Sequence, residues 1–156
     1  MKLGEIVGKT QEAEAALQQY DASAADLKAK ITAKFGKESV MYMMLSEKMI
    51  RAQGGTRHAL NDLLYKELGL TIPAGIPADK DRVDLSLEGL SAFEPDNILL
   101  VEYQNVDAVK SSSVWKDLKA VADNKVFTAD GFWMSMSWGP QGRTLVLQQL
   151  ADVIKA

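Results

Sequence analysis

The sequence predicts an α/β domain of three layers, with a mostly parallel central sheet between two layers of helices and a long N-terminal helix in front of it. Two observations support this prediction. Continuous apolar runs, typical of strands covered on both faces, alternate along the chain with segments of helical periodicity. The first 36 residues instead keep one helical pattern. We therefore expect a long helix over 1–36 and an α/β domain over 37–156.

The first predicted element is this amphipathic helix. Its less polar residues recur three and four positions apart, the spacing that places side chains on one helical face. They are Leu3, Ile6, Thr10, Ala13, Leu17, Tyr20, Ala24, Leu27 and Ile31. Gly36 is expected to end the helix. A helix from about Glu5 to Phe35 would be roughly 45 Å long, but Gly8 weakens its first turns, so a start capped by Thr10 is the alternative.

A pair of strands is predicted next. Val40–Leu45 is continuously apolar and indicates a buried central strand, and Lys48–Gln53 indicates a second strand that returns across a turn. Thr56 is placed to cap a leucine-rich helix that ends at Gly69. The segment Thr71–Asp81, which contains prolines, is predicted to be an irregular connection.

The second half of the chain alternates helices with strands. Ser86–Phe93 indicates a short helix, and Asn97–Glu102 a second buried strand. Val114–Ala122 indicates a helix, and Lys125–Thr128 a third strand. Gly139-Pro140 opens the closing helix, since proline is favoured in a first helical turn. This alternation favours a parallel sheet flanked by helices.

The composition is that of a globular protein, and it excludes several classes of function. Of 156 residues, 47% are hydrophobic and 25% are charged. The 18 basic and 21 acidic residues give a net charge of −3, whereas surfaces that bind nucleic acid are strongly basic. Cysteine is absent and histidine occurs once, which excludes disulfides, thiol nucleophiles and sites with several histidines. We expect no nucleic-acid partner and no metal site.

Several short segments resemble motifs of one protein family. Ser86–Glu88 followed by Glu94–Val101 is similar to the S-x-E-x-L and P-D-x-I pattern of that family. Trp115–Phe127 is similar to its W-x-x-L-x-A-V stretch, and Trp133 and Gly139-Pro140 also match. The family is that of the substrate-binding proteins of iron–siderophore and cobalamin import.

The resemblance implies half of such a receptor, namely the C-terminal lobe and the helix that links the two lobes. The N-terminal lobe is then missing, and so is a secretion or lipoprotein signal, because Met1–Glu5 leads into a charged amphipathic stretch. The parent protein would be extracytoplasmic, in the periplasm or as a cell-surface lipoprotein. Its implied partners are a ferric siderophore and the permease of an ABC importer.

Six side chains are candidate ligand contacts. Ligands of open parallel sheets lie beyond the carboxyl ends of the strands, and guanidinium groups and aromatic rings suit a bulky ligand rich in oxygen atoms. The loops expected at those ends carry Arg51, Arg57, His58, Tyr103, Trp133 and Trp138. Trp115 is expected to be packed in the core.

The resemblance also implies how iron is held. A siderophore surrounds iron(III) with its own oxygen atoms, so we expect no cofactor and no direct coordination of iron by the protein. The candidate loops hold few cations, which favours a hydroxamate siderophore over a trianionic catecholate. Glu88 has a separate implied role, because a glutamate at this place docks onto arginines of the permease in the family. An acidic residue in the first turn of a helix is also stabilised by the helix dipole.

We expect no enzyme activity. The chain has neither a glycine-rich nucleotide motif after a strand nor a G-x-S-x-G nucleophile turn. Asp79 and Asp81 lie in the proline-containing segment, where solvated acids are the rule. Two alternatives stay open: a homodimerising module built on the first helix, and a receptor lobe of the same fold for cobalamin or haem.

Overall fold

A computed structural model describes residues 2–55, 57–77 and 79–155, and a sheet of five strands lies at its centre. The strands are β1 (Val40–Ser46), β2 (Met49–Gln53), β3 (Arg82–Leu85), β4 (Asn97–Glu102) and β5 (Val126–Thr128). The helices are α1 (Lys2–Ile6), α2 (Thr10–Phe35), α3 (Ala59–Asn61) with a π-helical turn over Asp62–Glu67, α4 (Leu87–Leu90), α5 (Asp107–Ser111), α6 (Ser113–Lys116), α7 (Lys119–Ala122), α8 (Trp133–Met136) and α9 (Pro140–Val153).

The strand order β3-β2-β1-β4-β5 confirms the predicted α/β fold with a mostly parallel sheet. β1 pairs in parallel with β4, and β4 pairs in parallel with β5. β2 is antiparallel to both of its neighbours, so it runs against the other four strands. The carboxyl end of β2 therefore lies at the edge of the sheet where the parallel strands begin.

Helices cover both faces of the sheet, and β1 is buried between them as its apolar run predicted. Tyr42 points into a first layer formed by α2, α3, α8 and α9. Met43, its neighbour in the strand, points into a second layer formed by α4 to α7. Trp115 is buried in this second layer, in agreement with the sequence-based expectation.

The long helix α2 is confirmed, although it is shorter than the sequence pattern suggested. It spans 26 residues, or about 39 Å, and a separate short helix α1 precedes it. Gly8, which has a positive φ of 69°, lies between α1 and α2 and separates them. The N-cap position of α2 is occupied by Lys9 rather than by Thr10. Gly36 ends the helix as predicted, with φ 56°. The division of the chain at residue 36 stays a prediction.

Other differences from the sequence-based expectations are local. Thr56, the predicted helix cap, lies outside the described residues, and His58 caps α3 instead by accepting a hydrogen bond from the Leu60 amide. The segment expected to be irregular leads into an additional edge strand, β3. The helix predicted over Val114–Ala122 is divided into α6 and α7, because Leu118 adopts an extended conformation between them. Within the described part of the chain, no helix combines the length and apolar character that a bilayer crossing needs.

Candidate functional site

The loop between β2 and α3 is held by side chains that lie beneath it. One carboxylate oxygen of Asp81 accepts hydrogen bonds from the backbone amides of Arg57, at 3.1 Å, and His58, at 3.0 Å. Nδ1 of His58 in turn accepts from the Leu60 amide at 3.2 Å. Asp81 was expected to be a solvated acid of an irregular loop, and that expectation is wrong: it fixes the backbone that carries two candidate ligand contacts.

A buried asparagine completes this support. The Asn61 side-chain amide donates hydrogen bonds to the backbone carbonyls of Gly54 and Asp81. It thus links the residue that follows β2 to the residue that precedes β3. A Cβ atom at Gly54 would lie 2.3 Å from the Ile76 side chain, so any residue other than glycine would clash at this position. These contacts hold the backbone of Gly54, Arg57 and His58, and we call this part of the loop, with Asp81 and Asn61, the platform.

Above this platform lies an opening of about 500 Å³. Its lining is polar except for one methionine, and comprises Gln53, Arg57, His58, Asp79, Lys80, Asp81, Arg82 and Met134. The Arg57 side chain is exposed and, among the residues that the structure describes, its guanidinium has no acidic partner. The same holds for Arg82 within that part of the chain. Both groups can donate hydrogen bonds to oxygen atoms of a ligand.

The segment around α8 borders the opening through Met134, and we call this segment the aromatic wall because it carries the exposed Trp138. Trp138 is 67% exposed, and its ring lies 5.2 Å from the His58 ring in an edge-to-face arrangement. Met134, from the same segment, lines the opening directly. The structure thus brings Arg57, His58 and Trp138 together. Their contacts with a ligand stay predictions.

The environment of His58 favours the neutral imidazole. Burial lowers the pKa of His58, while the nearby Asp81 carboxylate raises it and Arg82 lowers it further. A neutral ring is needed for the observed cap, since a protonated Nδ1 cannot accept a hydrogen bond from the Leu60 amide.

The structure places Trp133 in the core, beside a separate opening of about 540 Å³ at the carboxyl ends of β4 and β5, and its contact with a ligand stays a prediction. Its side chain is fully buried, its indole N–H donates to Oε1 of Gln149 at 2.6 Å, and its ring stacks on Tyr42 with centroids 6.1 Å apart. Of the aromatic residues in this segment, Phe132 and Trp138 are the exposed ones. Trp133 is a core residue that anchors the aromatic wall to the sheet.

The expectation that the candidate loops meet at one edge of the sheet is wrong, because β2 is antiparallel. Gln53, the last residue of β2, lies level with the third residue of β1, whereas β4 ends beside the sixth. Tyr103 follows β4, is 46% exposed, and lies against Gly131 at the opposite edge from Arg57. Its contact with a ligand stays a prediction.

Arg51 lies on β2 on the same face as Gln53, since residues two apart in a strand share a face. Its Nε donates to a carboxylate oxygen of Asp84 on β3 at 2.6 Å. The guanidinium is therefore already engaged in an ion pair beside the opening. A role for Arg51 in ligand binding stays a prediction.

Glu88 lies on the other side of the sheet from the opening. It is exposed in the first turn of α4, which Ser86 caps by accepting a hydrogen bond from the Gly89 amide at 2.9 Å. Leu90 of the same helix is buried in the second layer. The backbone that carries Glu88 is thus fixed, its side chain is exposed, and its docking role stays a prediction.

Sequence reasoning missed Asp81, Gln53 and Arg82. Only the pairing of β3 with β2, in which Gln53 and Arg82 are register partners, brings them together. The spacing of histidine and acidic residues gave no metal signal, and in the described part of the chain no three of them are grouped so that they could hold a metal ion.

A model of the family described as "Periplasmic binding protein" matches residues 1–131. Among proteins of Bacillus subtilis, the iron-uptake system-binding protein is 27% identical over 135 residues, which cover 81% of this chain and 42% of the relative. The iron(3+)-hydroxamate-binding protein FhuD is 28% identical over 144 residues, which cover 86% of this chain and 46% of the relative. The chain thus spans less than half the length of either relative.

Solved structures show the same fold. A periplasmic binding protein component of a Fep/Fec-like ferrichrome ABC transporter from Bacillus subtilis superposes with a TM-score of 0.83 and 25% identity, over 98% of this chain and 60% of that one. SirA of Staphylococcus aureus superposes with a TM-score of 0.77 over 98% of this chain and 62% of that one. At 22% identity, this second likeness concerns the fold alone.

Proposed function

This chain belongs to the periplasmic binding protein family, and from that membership we propose that it is one lobe of a receptor that captures a ferric siderophore and delivers it to an ABC importer. The family and the fold are those of solute-binding proteins, so the chain is not an enzyme. The observation that carries the proposal is the opening lined by Arg57 and His58, with the exposed Trp138 ring in contact with the His58 ring.

The proposed chemistry is noncovalent. Arg57 donates charge-assisted hydrogen bonds to siderophore oxygen atoms, and Trp138 offers a flat apolar surface to the body of the complex. The siderophore supplies all ligands of iron(III), and the protein supplies none. The platform made by Asp81 and Asn61 holds the backbone of Arg57 and His58 in place before the ligand arrives, which lowers the entropy lost on binding.

A hydroxamate is the preferred class of siderophore. The opening is lined by three cations, Arg57, Lys80 and Arg82, against two carboxylates, Asp79 and Asp81. This near balance suits a complex of low net charge better than a trianionic catecholate. The relative named as an iron(3+)-hydroxamate-binding protein is consistent with this preference.

The wider assembly is part of the proposal. A second lobe joined through α2 would close the other side of the cleft, the parent protein would work outside the cytoplasmic membrane, and Glu88 would dock onto the permease through an ion pair at the rim of the interface. Homodimerisation through the first helix stays a prediction with no observation in its favour.

Tryptophan fluorescence tests the choice of ligand. The chain, alone and fused to the first lobe of the hydroxamate-binding relative, is titrated with ferrioxamine B, a ferric tricatecholate, haem and cobalamin. We expect ferrioxamine B to quench the fluorescence saturably, and Arg57→Gln to weaken its binding about tenfold by removing a charged hydrogen bond. Lys30→Gln, which removes a cation from an exposed ion pair on α2, is the matched control. Quenching by haem or cobalamin, with none by either siderophore, would contradict the proposal.

A further inference from the structure

Arg143, near the start of α9, makes an unusual number of contacts for one side chain. Its Nε donates to the Ser137 carbonyl at 2.9 Å, and one Nη donates to Glu67 at 2.8 Å. The other Nη donates to the Ala59 carbonyl at 3.2 Å and to Asp62 at 3.4 Å. The side chain is 22% exposed, so these contacts are largely shielded from solvent.

The two carbonyls belong to the two walls of the opening. Ala59 directly follows His58 in the loop wall, and Ser137 directly precedes Trp138 in the aromatic wall. We infer that Arg143 is a positioning residue that sets the separation of these walls, and with it the contact between His58 and Trp138. This inference rests on the proposed function for its consequence in ligand binding, whereas its geometric part is independent of any ligand.

The acidic partners fix the guanidinium itself. Glu67 and Asp62 lie one helical turn apart on the π-helical turn and neutralise the charge of Arg143. Glu67 also accepts a hydrogen bond from the Tyr20 hydroxyl, so the network of contacts around Arg143 extends to α2. Burial, followed by the hydrogen bond with Glu67, raises the pKa of Tyr20 to about 12, and Tyr20 therefore stays a donor at neutral pH.

Lysine cannot replace this arginine. A guanidinium is planar and presents five N–H donors in a fixed fork, which here reaches two carbonyls and two carboxylates at once. A lysine amine carries the same charge at one point, so it can keep an ion pair with Glu67 but cannot span both walls. Arg143→Lys therefore separates the role of the charge from the role of the fork.

The test uses the single histidine of the chain. The NMR resonance of the His58 Hε1 proton is measured without ligand in the wild type, Arg143→Lys, Arg143→Gln and Lys30→Gln. Trp138→Leu gives the reference value for a His58 ring without its aromatic neighbour. We expect both Arg143 variants to move toward the Trp138→Leu value, and Lys30→Gln to stay at the wild-type value.

Wild-type resonance positions in a folded Arg143→Lys protein would overturn the inference, even if its melting temperature fell, because Arg143 would then be only a stabilising residue. If Arg143→Gln does not fold, Arg143→Lys decides the outcome. A second arm measures ferrioxamine B, for which Arg143→Lys is expected to bind about tenfold more weakly than the wild type. If the wild type does not bind ferrioxamine B but the resonance moves as expected, the proposed ligand fails and the positioning role of Arg143 stands.

Discussion

Asp96 ties together the amino ends of the two central strands, and its removal is a quantitative test of the fold. The residue directly precedes β4, and one of its oxygen atoms accepts hydrogen bonds from the backbone amide of Ser39 at 2.9 Å and from its hydroxyl at 3.0 Å. The other oxygen accepts from Lys119 at 2.6 Å. Ser39 leads into β1, so the carboxylate fixes the parallel register of β1 and β4.

These contacts determine the size of the expected effect. The hydrogen bond from Lys119, followed by that from the Ser39 amide, lowers the pKa of Asp96 from its usual 3.8 to about 2. A tenfold change in proton affinity corresponds to about 1.4 kcal/mol, but the Lys119 side chain is 55% exposed and water screens its charge, so ionised Asp96 adds about 1 kcal/mol to the free energy of unfolding at pH 7. Because the folded pKa is lowered, this contribution is present above pH 4 and is lost as the pH falls toward 2.

Urea unfolding followed by circular dichroism measures the effect in Asp96→Asn. We expect the variant to be about 1 kcal/mol less stable than the wild type at pH 7, and about half of the difference to be lost at pH 3. Asp84→Asn is the matched control, because Asp84 also accepts a 2.6 Å hydrogen bond from a cation but is exposed and holds no backbone amide. An equal loss in the two variants, or a difference for Asp96→Asn that does not change with pH, would refute the reasoning.

Three further predictions concern the site and its surroundings. Trp133→Ala is expected to destabilise the protein by about 3–5 kcal/mol in thermal or urea unfolding because it empties a core position, whereas Trp138→Ala should change the stability little; similar losses would contradict their assignment to core and surface. Glu88→Ala should reduce siderophore import and leave binding of ferrioxamine B unchanged, with Asp123→Ala as an exposed acidic control; weaker binding would count against a docking role. An NMR titration should give His58 a pKa below its usual 6.5, because burial disfavours the charged ring. The α3 cap then loses stability as the pH falls below 6.5 and the ring becomes protonated. A pKa above 6.5 would contradict the neutral cap.

The elements that could be predicted from the sequence are those in which the order of apolar and polar residues along the segment itself shows which side chains are buried. The α2 face that includes Leu27 and Ile31 repeats with helical spacing, and the apolar run of β1 has the length of a buried strand. β3 was missed because Arg82-Val83-Asp84-Leu85 follows a proline-containing loop and becomes a strand only by pairing with β2. Its extended state is fixed by tertiary contact rather than by local preference.

The candidate site was predicted in part for a related reason. The sequence indicated which residue types suit the ligand, and Arg57, His58 and Trp138 do lie together. It could not show which tryptophan points inward, because Trp133 is held by Gln149, sixteen residues away. The predicted return of β2 across a turn already implied an antiparallel strand, whose loop lies at the edge opposite Tyr103, but the candidate residues were grouped as if all strands were parallel.

The outermost strands of the sheet have a consequence for behaviour at high concentration. β3 has four residues with two exposed charges, Arg82 and Asp84, and β5 has three residues. Edge strands of this kind are poor templates for the addition of a strand from another molecule, because both are short and β3 carries exposed charged side chains. We therefore expect the sheet to resist growth into fibrils, and Arg82→Val with Asp84→Val to remove that protection.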